Sequence, residues 1–104
     1  MKHNKLVRDK IPDIILAEGH QVSTRILNDK EYKVELEKKL IEECQEVLGS
    51  KGEHRLEELG DVLEVMIALA QRDGFSLDDI IVAARQKREK RGGFDKKIFL
   101  VEDK

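Results

Sequence analysis

Apolar residues recur every three or four positions along most of the chain, and this spacing predicts four helices. The first helix is short, with Asp9 as its cap, Pro12 in its first turn and Gly19 at its end. The three longer helices are predicted at about 29–48, 53–73 and 77–91, and each is followed closely by a glycine. Asn28 or Asp29 caps the second helix, and Ser76 with Asp79 forms a capping box for the fourth.

Two segments alternate weakly between apolar and polar residues instead of following a helical period. They are QVSTRIL at 21–27 and KIFLVED at 97–103, which we interpret as two short strands. Such strands predict a minor antiparallel β-pair beside the helices. The expected fold class is therefore all-α, a bundle of about four helices in a single domain covering residues 1–104.

The core is expected between the broad apolar faces of the second and third helices. The main face of the third helix comprises Leu56, Leu59, Leu63, Met66, Ile67 and Ala70, widened by Val62, Val65 and Leu69. Cys44 lies on the apolar arc of the second helix, so we expect a buried thiol. Faces this wide need more cover than one helix hairpin supplies, which predicts a homodimer or a higher homo-oligomer.

Four acids lie on or beside these apolar faces; Glu37 and Lys33 also fall within the arc of the second helix, nearer its start, and we assign them no role. Glu43 falls inside the arc of the second helix and Glu46 just beyond its edge, while Glu58 falls inside the arc of the third helix and Asp61 at its margin. If the helices pack antiparallel, the four carboxylates face one another, repel one another and require a cation. Oxygen ligands favour Mg²⁺ or Mn²⁺. Position alone leaves open the alternative of surface acids on a helix hairpin.

Composition adds limits to this interpretation. Charged residues make up 40% of the 104 residues and aromatics 4%, which favours helices with solvated faces. The net charge of −2 gives no general attraction to nucleic acid, and no apolar stretch is long enough to span a bilayer. A single cysteine excludes an intramolecular disulfide. We expect a cytoplasmic protein that binds neither nucleic acid nor membrane.

The acids follow a spacing that is known from one group of enzymes. Residues 42–46 (EECQE) followed by 58–61 (ELGD) fit the pattern EExxE…ExxD. The chain thereby resembles the MazG-like, all-α nucleoside triphosphate pyrophosphohydrolases, a superfamily that includes phosphoribosyl-ATP pyrophosphohydrolase. The flanking segments KLVRDKIP at 5–12 and KREKRGGF at 87–94 resemble a small-protein subfamily of predicted pyrophosphohydrolases. The resemblance thus touches nearly the whole chain.

The resemblance implies a role for each of these acids. The metal ligands fall on Glu43, Glu46, Glu58 and Asp61, of which Glu43 or Glu46 also orients the attacking water, and Glu42 is a supporting acid. The implied reaction is Mg²⁺-dependent hydrolysis of nucleoside triphosphates, including noncanonical ones, to the monophosphate and pyrophosphate. The alternatives are a phosphoribosyl-ATP pyrophosphohydrolase and, in another class, a non-catalytic helical adaptor that dimerises.

Basic residues provide the counterpart for a triphosphate. They cluster at the end of the fourth helix, where the helix dipole alone also favours them, so a surface helix remains the alternative. The resemblance makes Lys87, Lys90 and Arg91 phosphate contacts, with Arg8 and Lys10 as weaker candidates of the same kind.

Overall fold

A computed structural model describes residues 2–104 and contains four α-helices within them. They are α1 (Ile11–Ala17), α2 (Asp29–Leu48), α3 (Gly52–Arg72) and α4 (Leu77–Arg91). The all-α prediction is confirmed, and the bounds of the three long helices agree closely with those expected from the sequence. None of these helices is both long enough and apolar enough to cross a bilayer, as far as the described residues extend.

The predicted β-pair is wrong, because no strand occurs between residues 2 and 104. A two-stranded pair is stable only when it packs an apolar face against something else. Residues 21–27 offer no such face. Val22 and Leu27 are half-buried but would lie on opposite faces of a strand, and Ile26 is 94% exposed. The apolar residues of 97–103 are exposed as well.

Helix starts follow the local capping chemistry. The backbone N–H of Glu31 donates to Asn28 Oδ1 (2.8 Å) and that of Asn28 donates to Glu31 Oε1 (3.3 Å), so Asn28 caps α2. Ser76 and Asp79 exchange the same two bonds at the start of α4.

The cap predicted for α1 is wrong. Lys10, and not Asp9, occupies the N-cap position, and no side chain caps this helix. The backbone N–H of Ile11 bonds to the carbonyl of Arg8 (3.1 Å), so a backbone turn leads into α1 and leaves Asp9 no capping role. Pro12 lies in the first turn, as expected.

The described residues separate into two compact units, one extending to Leu69 and the other formed by Ala70–Lys104. In the first unit, residues 49–51 connect α2 to α3. Ser50 is buried there, and its hydroxyl donates to the Val47 carbonyl (2.9 Å). The Arg55 guanidinium donates to the backbone carbonyl of Ser50. Gly52 adopts a φ of +62°, which favours glycine, and this tight turn folds α3 back beside α2.

The side of α3 that faces inward agrees only in part with the one expected. Val65 is buried together with Leu36 of α2, and Val62 and Leu69 are half-buried beside it. The first half of the expected main face is open, since Leu56, Leu59 and Leu63 are 70%, 48% and 39% exposed, whereas Met66, Ile67 and Ala70 in its second half are half-buried. In the first half of α3 the packed side is therefore the one that carries Glu58.

Cys44 is exposed, so the expectation of a buried thiol is wrong. On α2 the half-buried Glu43 and the buried Leu36 lie on one side of the apolar arc, and Cys44 lies on its other side with the exposed Ile41. Rotation of the packed face toward the acids thus turns the cysteine outward.

Candidate functional site

Three carboxylates from two helices converge in the first unit. Glu43 of α2 and Glu58 and Asp61 of α3 each place one carboxylate oxygen within 4.8 Å of the other two. The i, i+3 spacing puts Glu58 and Asp61 on neighbouring turns of α3, and the tight turn at 49–51 brings that face to Glu43. We call these three residues the acid trio.

Glu46, the fourth predicted acid, lies at the edge of the trio. Its side chain is exposed, and it is not one of the three that share the 4.8 Å limit. Glu46 is nevertheless close enough to raise the pKa of both Glu43 and Glu58. Glu46 makes no ion pair within the described part of the chain, but its carboxyl lies within hydrogen-bonding reach of those of Glu43 and Glu58.

The environment of the trio disfavours ionised carboxylates. The pKa of Glu43 is raised first by burial, then by the charges of Glu46 and Asp61, against an opposing effect of Lys39. The pKa of Glu58 is raised first by the Glu46 carboxyl, with which a protonated Glu58 shares its proton, and then by burial. Like charges held together out of water are stabilised either by protons or by a cation.

One atom of the trio lacks a partner. Glu58 Oε2 is buried, and no group of residues 2–104 donates a hydrogen bond to it. A buried acceptor of this kind is costly unless something binds it. A hard divalent cation would satisfy it, since carboxylate oxygens are the ligands that Mg²⁺ and Mn²⁺ prefer. The residues present therefore fit a divalent ion.

Each member of the trio also has one basic partner. Lys39 Nζ lies 3.8 Å from Glu43 Oε1, His54 Nε2 lies 3.5 Å from Glu58 Oε1, and Arg8 Nη2 donates to Asp61 Oδ1 at 2.7 Å. Arg8 reaches Asp61 across 53 residues of sequence. Arg8, a predicted phosphate contact, thus forms an ion pair with Asp61, a predicted metal ligand.

Glu42 and Lys10 are not members of the acid trio. Glu42 is exposed and lines a cavity of about 190 Å³ between residues 3–6 and α2. Lys10 is exposed at the boundary of α1.

The other predicted phosphate contacts belong to the second unit. Lys87, Lys90 and Arg91 are exposed near the end of α4. Arg91 lines a second cavity of about 280 Å³ with Gly92, Gly93 and Lys96.

Sequence reasoning missed two of the three basic partners. These two are Lys39 and His54, to which the sequence analysis gives no role. Both lie four positions before their acids, at Glu43 and Glu58, and i, i+4 pairs of opposite charge are neighbours on a helix. This spacing was the signal that would have identified them.

The profile described as the MazG nucleotide pyrophosphohydrolase domain matches residues 33–93, which is more than half of the 104 residues. The matched region contains the acid trio, Glu46 and the basic end of α4, and it leaves out Arg8, Lys10 and residues 3–6. No curated protein and no solved structure matches the chain significantly.

Proposed function

Because this chain belongs to the MazG nucleotide pyrophosphohydrolase family, we propose that it hydrolyses nucleoside triphosphates to the monophosphate and pyrophosphate, with Mg²⁺ as cofactor. The proposal extends to noncanonical nucleotides. One observation carries it: three carboxylates from α2 and α3 meet within 4.8 Å, and the buried Glu58 Oε2 among them has no hydrogen-bond partner in the described chain.

In this proposal Glu43, Glu58 and Asp61 hold the metal. When bound, Mg²⁺ neutralises phosphate oxygens and lowers the pKa of a water molecule. Glu46 is the candidate base for the attacking water, because its carboxylate lies beside the trio, is exposed and has no cation partner among the described residues. Glu43 is the other acid that orients this water, and Glu42 is a supporting acid.

Basic side chains would neutralise the remaining charge of a triphosphate. Arg8 has the most direct support, since its guanidinium already lies 2.7 Å from Asp61 and is 56% exposed toward solvent. Lys10, Lys87, Lys90 and Arg91 are proposed as further phosphate contacts on the basis of their charge and exposure.

We also propose that the chain works as a homodimer. Only Leu36 and Val65 are buried hydrophobic residues among those described, whereas Leu56, Leu59 and Leu63 form an exposed stripe along α3. A second copy that presents the same stripe would cover it in an isologous contact.

Leu59→Glu tests the dimer directly. We expect the wild type to sediment as a dimer and this variant as a monomer at micromolar concentration, because burying an unpaired carboxylate opposes association. Ile26→Glu is the matched control, since Ile26 is 94% exposed and lies outside the stripe. A monomeric wild type, or a dimer that tolerates Leu59→Glu, would contradict the proposed interface.

The reaction is tested by incubating the protein and Mg²⁺ with canonical triphosphates, modified triphosphates and phosphoribosyl-ATP. We expect equal amounts of pyrophosphate and monophosphate, with no turnover in excess EDTA. Orthophosphate as the first product would contradict the proposed cleavage. Turnover of phosphoribosyl-ATP alone would assign the alternative substrate, and turnover of no substrate would favour a non-catalytic adaptor.

A further inference from the structure

The cavity between residues 3–6 and α2 adjoins the acid trio. It encloses about 190 Å³, and its walls include Lys5 from the N-terminal segment and Lys38, Lys39, Glu35 and Glu42 from α2. Three of these five side chains are ammonium groups. The cavity lies entirely in the first unit, and its N-terminal wall lies outside the region that matches the family profile.

Lys39 joins this cavity to the trio. It lines the cavity, and its Nζ lies 3.8 Å from Glu43 Oε1. The Lys39 side chain is only 22% exposed. An ammonium group that is this poorly hydrated depends on a nearby anion.

The charged groups that line the cavity favour an anion once a cation is bound to the acid trio. Lys38 is paired with Glu35 at 3.1 Å, which leaves Lys5 and Lys39 opposite Glu42. Lys5 makes no ion pair within residues 2–104. When a cation binds Glu43, the attraction between Lys39 and that carboxylate falls, and the cavity gains an excess of positive charge.

The N-terminal wall has a defined backbone shape. Asn4 adopts a φ of +47°, in the left-handed region that asparagine tolerates better than most residues. This bend lies next to Lys5 and turns the segment where it forms the wall.

We infer that this cavity binds the terminal phosphates of the substrate, the part that leaves as pyrophosphate, through the ammonium groups of Lys39 and Lys5. The inference rests on the proposed function, because it assigns one end of the proposed substrate to this cavity. Glu42, whose carboxylate has no cation partner in the described part of the chain, opposes the bound anion and limits how tightly the product is held.

The test is calorimetric titration of inorganic pyrophosphate, in the presence of Mg²⁺, into the wild type, Lys39→Met and Lys5→Met. Methionine keeps an unbranched side chain and removes the charge. We expect the dissociation constant to rise about tenfold in each variant, as for one lost charge-assisted hydrogen bond. Lys33→Met is the matched control, because Lys33 lies on α2, pairs with Glu37 at 3.4 Å and does not line the cavity.

Two further measurements separate the possible failures. Mg²⁺ should still raise the melting temperature of Lys39→Met, which would show that the variant is folded and that its acid trio binds the ion. If the wild type releases pyrophosphate from triphosphates but both cavity variants bind pyrophosphate within twofold of wild type, the inference alone is overturned. If the wild type releases none, the proposed function fails, and the titration still decides whether the cavity is an anion site.

Discussion

Glu58→Gln is expected to abolish pyrophosphate release and the binding of Mg²⁺ together. Glu58 contributes the buried oxygen of the trio that lacks a hydrogen-bond partner among the described residues. An amide keeps the size of the side chain but removes the charge that a hard cation requires. Substitution of groups that merely orient a metal ligand costs about 10- to 100-fold, so we expect loss of a ligand to lower kcat/KM by more than 100-fold. Steady-state kinetics and Mg²⁺ titration measure the two effects.

Glu57→Gln is the control for this experiment. Glu57 precedes Glu58 on α3, is exposed and lies on the polar side of the helix, so its substitution removes the same charge away from the trio. We expect its activity to stay within about twofold of wild type, in line with surface substitutions in general. Equal losses in the two variants would mean that general charge, and not a ligand at position 58, supports turnover.

The second large effect concerns the stability of the metal-free protein. The folded state raises the pKa of Glu43 and Glu58 above the ordinary value of 4.5, so between that value and the raised one it binds more protons than the unfolded chain. The contribution of these acids to the free energy of unfolding therefore falls as the pH rises through this window, and the penalty is complete above it. We expect Glu58→Gln to melt at a higher temperature than wild type at pH 7 in EDTA, with the difference vanishing near pH 4.

Magnesium should reverse this order. A ligand that binds only the folded state at 100 times its dissociation constant adds about 2.7 kcal/mol, and we expect this gain in the wild type and not in Glu58→Gln. Thermal melts from pH 4 to 8, with EDTA and with Mg²⁺, measure both effects. A wild type that is more stable than Glu58→Gln at pH 7 in EDTA would show that the trio is not electrostatically strained.

The sequence predicted the helices well because their boundaries depend on local chemistry. Asn28 with Glu31 and Ser76 with Asp79 form caps from residues three positions apart, so no knowledge of the tertiary fold was needed. Two wrong predictions show the limit of this reasoning: Asp9 does not cap α1, and neither predicted strand forms between residues 2 and 104. An isolated alternating segment does not specify a partner strand, and a helix can begin from a backbone turn without a side-chain cap.

The candidate site was predicted only as far as helix angles allow. An angle within one helix places Glu43 and Glu58 on apolar arcs, but it does not say which part of a wide arc meets the other helix. In the first half of α3 the packed face lies toward Glu58, which leaves Leu56 and Leu59 open, and Glu46 of α2 is exposed beside the trio. The contact of Arg8 with Asp61 joins residues 53 apart, and no periodic pattern encodes such a distance.

The short connection at 49–51 also bears on how the chain acquires its charge cluster during folding. Loops of a few residues close within about 0.1 µs, far faster than long-range contacts form. We therefore expect the three acids to come together early in folding, where their repulsion would oppose the compact states. The supply of divalent ions would then influence how efficiently newly made chains fold, in addition to its proposed role in turnover.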